Sequence, residues 1–177
     1  MKPVYNDFPK LKQSIKSIKT IDHPYGGLNV SPDIKDNKMV MEVNKKFFKS
    51  QVFVKENYEQ DVNNKFHPQN STYKHMGIHE LGHCATFEII KKKYSNTNLM
   101  INDWNQSLTS KEIVQKAFNN LGINDKITQD MLRKNISTYS KRNYSENIAE
   151  AFVDYYANKN NASILSKEII KVMKGMI

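Results

Sequence analysis

The stretch His79-Glu80-Leu81-Gly82-His83 constrains this chain more than any other. On a helix, two histidines four apart stack on one face, close enough for both imidazoles to reach a single ion. Glu80 lies one residue round from His79, beside that ion, where it can take a proton from an activated water. A glycine inside such a helix costs on the order of 1 kcal/mol relative to alanine. At Gly82 that cost is explained by close approach of another backbone or by room for a site.

The chain has 177 residues, of which 38% are hydrophobic and 10% aromatic. That is enough for one folded domain with a sizeable core, residues 1–177. Mean hydropathy is low (-0.69), and no run approaches the roughly 18 apolar residues of a membrane span. The start, Met1 to Phe8, carries no apolar stretch of the kind a secretory signal has. The one cysteine, Cys84, rules out an internal disulfide and reads as a small buried side chain. A net charge of +9 comes from scattered lysines, with clusters at Lys91-Lys92-Lys93, at Lys141-Arg142 and along Lys10, Lys12, Lys16 and Lys19. A basic surface can favour acidic substrates, nucleic acid or an anionic membrane. No recognition motif or interleaved aromatic platform accompanies it, so a nucleic-acid partner is not expected.

Leu11, Ile15 and Ile18 recur at helical spacing and predict a short amphipathic N-terminal helix. Strands are expected around Ile18–Ile21, Leu28–Val30 and Met39–Val43, separated by turns at Pro24-Tyr25-Gly26-Gly27 and Pro32-Asp33. The alternation of Met39, Met41 and Val43 suits a strand with one buried face. The polar, Asn-rich stretch from Asn57 to Thr72 reads as a surface loop. After it, a helix from about Tyr73 to Tyr94 carries the two histidines. Further helices are expected from Ser110 to near Gly122, from Thr128 to Ile136, from Glu146 to Asn158 and from Ser163 or Ser166 onward. Ser110 and Ser145 are the expected N-caps of the first and third. The order predicts an α+β fold: a small twisted, mostly antiparallel sheet and the histidine helix in residues 1–95, then a mainly helical half in residues 96–177.

Two histidines do not complete a catalytic zinc site, which needs three protein ligands and one open position. His23, His67 and His75 do not follow the motif. His75, eight residues before His83, lies about 12 Å along the helix from it and cannot share its ion. A carboxylate is therefore required, and one on an otherwise apolar helix is costly unless paired or metal-bound. Glu146 and Glu150 lie four apart among Ala149, Phe152, Val153 and Tyr156. Glu146 is expected to be the ligand. Glu150, one turn on, is expected to accept an N–H from a ligand histidine and fix its orientation.

Together, His79 to His83, Tyr139, Glu146 and Ala149-Glu150-Ala151-Phe152 resemble the gluzincin site of the anthrax lethal factor catalytic domain. They are also similar to clostridial Pro-Pro endopeptidases and to related domains of phages and mobile elements, whose lead-in resembles His67-Pro68. In that family a tyrosine lies seven residues before the ligand glutamate, and a second glutamate four after it. The resemblance spans Ile78 to Tyr156, about half the chain. It implies a zincin-like domain in which His79, His83 and Glu146 bind Zn2+, Glu80 is the general base, Tyr139 stabilises an oxyanion and Glu150 orients a ligand. Tyr144, nearer Glu146 in sequence, is the rival hydroxyl donor.

The chain is thus expected to be a zinc metalloendopeptidase acting on a protein or peptide substrate, held antiparallel along an edge strand near Met39–Val43. A cytoplasmic or phage-associated location is expected, or secretion if the chain is a trimmed mature form. The alternatives are a phage morphogenesis component that keeps zinc for stability, and a basic nucleic-acid binder. Trp104, the only tryptophan, is expected to anchor the core or a loop rather than line a subsite.

Overall fold

Two prolines shape the N-terminus of the computed structural model, which describes residues 1–22 and 26–177. Pro3 lies in the first turn of α1 (Lys2–Asp7), and Pro9 opens a 3-10 turn (Pro9–Gln13), positions that need no backbone N–H. The chain then enters β1 (Ile15–Ile21) rather than an amphipathic helix. Ile15 pairs with Met39 and Ile18 with Met41 across a parallel ladder, and that pairing overrides the helical spacing. Ile18, which the helix would have buried, is 66% exposed.

β2 (Leu28–Asp33) and β3 (Lys38–Asn44) complete a three-stranded sheet in the order β1-β3-β2. β2 runs antiparallel to β3, so the sheet is mixed rather than mostly antiparallel. Pro32 and Asp33 belong to β2, opposite Met39 and Lys38, and the reversal comes after them, at residues 34–37. A proline is tolerated there because β2 is an edge strand. The expected turn at Pro24-Tyr25 lies outside the described residues. Met39 and Met41 face the core with Val30, and Val40 is buried as well, because β3 is the central strand.

A 3-10 turn (Phe47–Lys49) leads into α2 (Gln51–Asn63), whose second half, from Asn57, lies in the stretch expected as a loop. Ser50 caps this helix on Phe53 N, and only Val54 and Tyr58 are buried along it, one turn apart. Two anchors leave too little apolar periodicity to be noticed. A second 3-10 turn (Tyr73–His75) precedes α3 (Met76–Lys93), which buries Ile78, Leu81, Cys84, Ala85, Phe87, Ile89 and Ile90.

The rest is helical: α4 (Thr97–Gln106), α5 (Leu108–Asn120), α6 (Lys126–Ile136), a 3-10 turn (Tyr139–Lys141), α7 (Tyr144–Asn158), a 3-10 turn (Lys159–Asn161) and α8 (Ile164–Met176). The fold is α+β, and one apolar core runs from Val4 through α3, α5 and α7 to Met173. Ser110 is not an N-cap but a buried residue inside α5. Asp103, reaching from α4, satisfies the first turn instead, accepting from Thr109 N and from Thr109 Oγ1, each at 2.8 Å. Among the described residues, no helix is long and apolar enough to cross a membrane.

α3 and α7 cross at Gly82. A Cβ placed there would lie 2.9 Å from the Cα of Ala149 and 3.3 Å from the Phe152 ring. The glycine therefore lets two backbones touch between His79 and His83, next to His83, and it sets Glu146 and Glu150 opposite them.

Candidate metal centre

His79, Glu80 and His83 occupy the first half of α3, and Glu146 and Glu150 the first half of α7. The N-cap of α7 is Asn143, whose Oδ1 accepts from Glu146 N at 2.8 Å. Ser145, the expected cap, is thereby free for another task. Its Oγ lies 3.0 Å from His83 Nδ1. His79 Nδ1 lies 2.9 Å from Glu150 Oε1, within hydrogen-bond reach.

With their Nδ1 atoms engaged, the two rings turn Nε2 toward each other at 3.2 Å. Glu146 Oε2 lies 3.2 Å from His79 Nε2 and 3.6 Å from His83 Nε2. Ligand atoms held tetrahedrally at the usual zinc distances stand about 3.3 Å apart. Glu146 Oε2 is buried without a hydrogen-bond partner. Three electron-pair donors thus converge where no donor hydrogen answers them, which is costly unless a cation does. His79, His83 and Glu146 form a group that can hold a metal ion.

The electrostatics agree. Burial opposes charge on His79, but its contacts with Glu146 and Glu150 outweigh that and raise the imidazole well above its usual value. Burial would raise Glu146 and Glu150, yet the imidazoles beside each hold both carboxylates below their usual range.

A cavity of about 380 Å³ opens beside this group. Leu28, Phe47, Phe66 and Met76 give it apolar walls, and His79, Glu80, Tyr139 and Arg142 supply its polar groups. Glu80 is 5% exposed, and no hydrogen bond or ion pair engages its carboxylate among the described residues. Tyr139 stacks on His79 with ring centroids 6.1 Å apart, and its hydroxyl accepts from Arg142 Nη1 at 3.1 Å. Burial, followed by the charge of Glu146, raises its phenol, so the proton stays on. Tyr144 instead lies under the Arg133 guanidinium, 4.9 Å from its ring centre, and does not line the cavity.

Met39–Val43 cannot receive a strand, because β3 is paired on both edges. The edge beside the cavity is that of β2, where Gly26, Gly27 and Leu28 form part of the wall. Trp104 stands edge-on to His83 and Phe87, at 6.3 and 5.9 Å, outside the cavity lining. His75 lies outside the donor group, its Nδ1 accepting from Thr72 N at 3.0 Å. Cys84 is fully buried, its thiol pushed up to about 12 chiefly by that burial. His23 lies outside the described residues.

Spacing in the sequence does not single out His67. Its Nδ1 reaches Glu150 Oε1 at 3.1 Å and Oε2 at 3.3 Å, and it lines the cavity. No regular offset from the histidine motif marks it.

Part of the positive charge is taken up within the fold: Lys91 pairs with Glu88, Lys93 with Glu112, and Lys92 bonds the carbonyl of Met176. No protein-family model matches this sequence, and no curated protein or solved structure matches it.

Proposed function

We propose that this chain is a zinc-dependent endopeptidase of the gluzincin type, with a zincin-like fold, His79, His83 and Glu146 as ligands, and peptide as substrate. The observation that carries the reading is the unanswered buried oxygen of Glu146, facing two imidazole nitrogens at the edge of a cavity. Zinc fits this donor set of two imidazoles and one carboxylate, and three protein ligands leave a position open, as catalytic sites require. When bound, it supplies Lewis acidity toward a water and a carbonyl.

The remaining steps belong to the chain. Glu80, enclosed and otherwise unpartnered, accepts the proton of the attacking water and passes it to the leaving amine nitrogen. Tyr139 donates its hydroxyl hydrogen to the carbonyl oxygen as negative charge grows there. The Arg142 N–H on the phenol oxygen leaves that hydrogen free to point at substrate and makes it a stronger donor. Glu150 and Ser145 hold the two imidazoles by Nδ1. The apolar walls exclude bulk water from the reacting bond. An extended peptide paired with the β2 edge would pass Glu80 and Tyr139.

The test is a peptide-library digest with wild type and Glu80→Gln, alongside measurement of bound zinc. Both proteins are expected to bind one zinc ion, and only wild type to cleave. Equal behaviour of the two in the digest would overturn the enzymatic reading in favour of a structural zinc site.

A further inference from the structure

We propose that His67 is a positioning residue for the metal centre, acting through Glu150 on His79. The inference rests on the zinc reading above and is independent of peptide cleavage.

Glu150 is fully buried. A buried carboxylate needs its charge answered by well-placed donors. His79 Nδ1 supplies one at 2.9 Å, and His67 Nδ1 supplies the other, within reach of both oxygens. No third partner is present among the described residues. An ionised carboxylate has no hydrogen to donate, so both Nδ1 atoms carry theirs. Glu150 is therefore pinned between two imidazoles, and Nε2 of His79 is left bare toward Glu146 and His83.

His67 is itself held. Its ring lies flat on Tyr58, centroids 4.7 Å and planes 9° apart, with Phe66 and Tyr139 packed edge-on. The Tyr58 hydroxyl is tied to Ser71 Oγ at 3.1 Å. The chain Tyr58–His67–Glu150–His79 thus connects α2, which contributes no ligand, to the metal donors on α3. Without the His67 N–H, Glu150 keeps one partner and can swing about it, and the His79 ring loses its fixed acceptor. Loss of such an outer partner typically weakens metal binding 10–100-fold.

The test is zinc affinity of the full chain by chelator competition, in wild type and three variants. His67→Phe keeps a flat ring on Tyr58 but has no N–H. His67→Asn places an amide N–H where Nδ1 was, and His67→Gln places it where Nε2 was. Phe and Gln are expected to weaken zinc binding roughly 10–100-fold, while Asn stays close to wild type. The His79 Nδ1–H resonance of the zinc-loaded chain should stay protected from exchange in wild type and Asn, and lose protection in Phe and Gln. Unchanged affinity in all variants, or equal loss in all three with a matching fall in stability, would overturn the proposal. Should the Phe variant not fold, the Asn–Gln difference decides alone. A wild type that binds no zinc would remove the metal reading itself, a distinct result.

Discussion

Gly82 and Ala149 bring their backbones into contact where α3 crosses α7: a side-chain carbon on Gly82 would lie 2.9 Å from the Ala149 Cα. Gly82→Ala gains about 1 kcal/mol of helix propensity but overpacks the crossing at a typical cost of about 1–3 kcal/mol. The obstructing atom is backbone and cannot rotate away, so the cost wins. Tm should fall and zinc affinity with it, because the same shift parts His79 and His83 from Glu146. A variant with higher Tm and unchanged affinity would show that the crossing does not set the site.

His79→Ala is expected to lose zinc, whereas His75→Ala keeps it near stoichiometric. His75 is turned back on Thr72, and His79 Nε2 faces Glu146. Metal content after gel filtration checks this, and the reverse result would sink the ligand assignment.

Asn143 and Ser145 should separate cleanly. Asn143→Ala removes the α7 cap at a cost of about 1 kcal/mol, read as a lower Tm. Ser145→Ala leaves the cap in place and removes the oxygen beside His83 Nδ1, so zinc affinity falls by about tenfold or more with little change in Tm. Both effects appearing on one residue would mean that the division of labour is wrong.

Tyr139→Phe should keep zinc and lower kcat by about 10²–10³-fold, the usual cost of one oxyanion donor. Tyr144→Phe, whose ring lies against Arg133, should leave kcat nearly unchanged. Rates on a peptide found in the digest decide between them.

In the metal-free chain, His79 is raised above 6.5 and Glu146 and Glu150 are lowered below 4.5. The raised histidine contributes stability that is complete below about pH 6.5 and is lost as pH rises through its raised pKa. The lowered carboxylates contribute stability that is complete above about pH 4.5 and is lost as pH falls through theirs. This contribution should be greatest between the two and fade on the alkaline side. Zinc, which needs bare Nε2 atoms, binds better as the proton leaves and should cancel the alkaline loss. Melting curves from about pH 5 to 9, with chelator and with zinc, check this; a metal-free Tm that rises toward pH 9 contradicts it.

The donor group is legible in the sequence because its logic is local: four-residue spacing on one helix, and carboxylates that an apolar helix tolerates only with a partner. Gly82 is legible for a similar reason, since an interior glycine carries a cost that needs a cause. His67 is not, because it sits in a loop and reaches Glu150 only through tertiary packing. Ser145 and Asn143, two residues apart, are both competent caps, and only the fold decides which of them is needed elsewhere. Ile18–Ile21 reads correctly as strand, but the start of β1 reads as helix because Leu11, Ile15 and Ile18 satisfy helical spacing, while its parallel pairing with β3 depends on how distant chain segments meet. α2 escapes a pattern-based reading because Val54 and Tyr58 are its only buried anchors.

The donor atoms come from two helices more than sixty residues apart in the chain. Neither helix alone offers three of them. A newly made chain would therefore hold the proposed metal firmly only once α3 and α7 have docked, and a half-folded one would carry no competent centre. Such an arrangement ties the hydrolytic hazard of the proposed activity to completed folding, so the polypeptide would arm itself last.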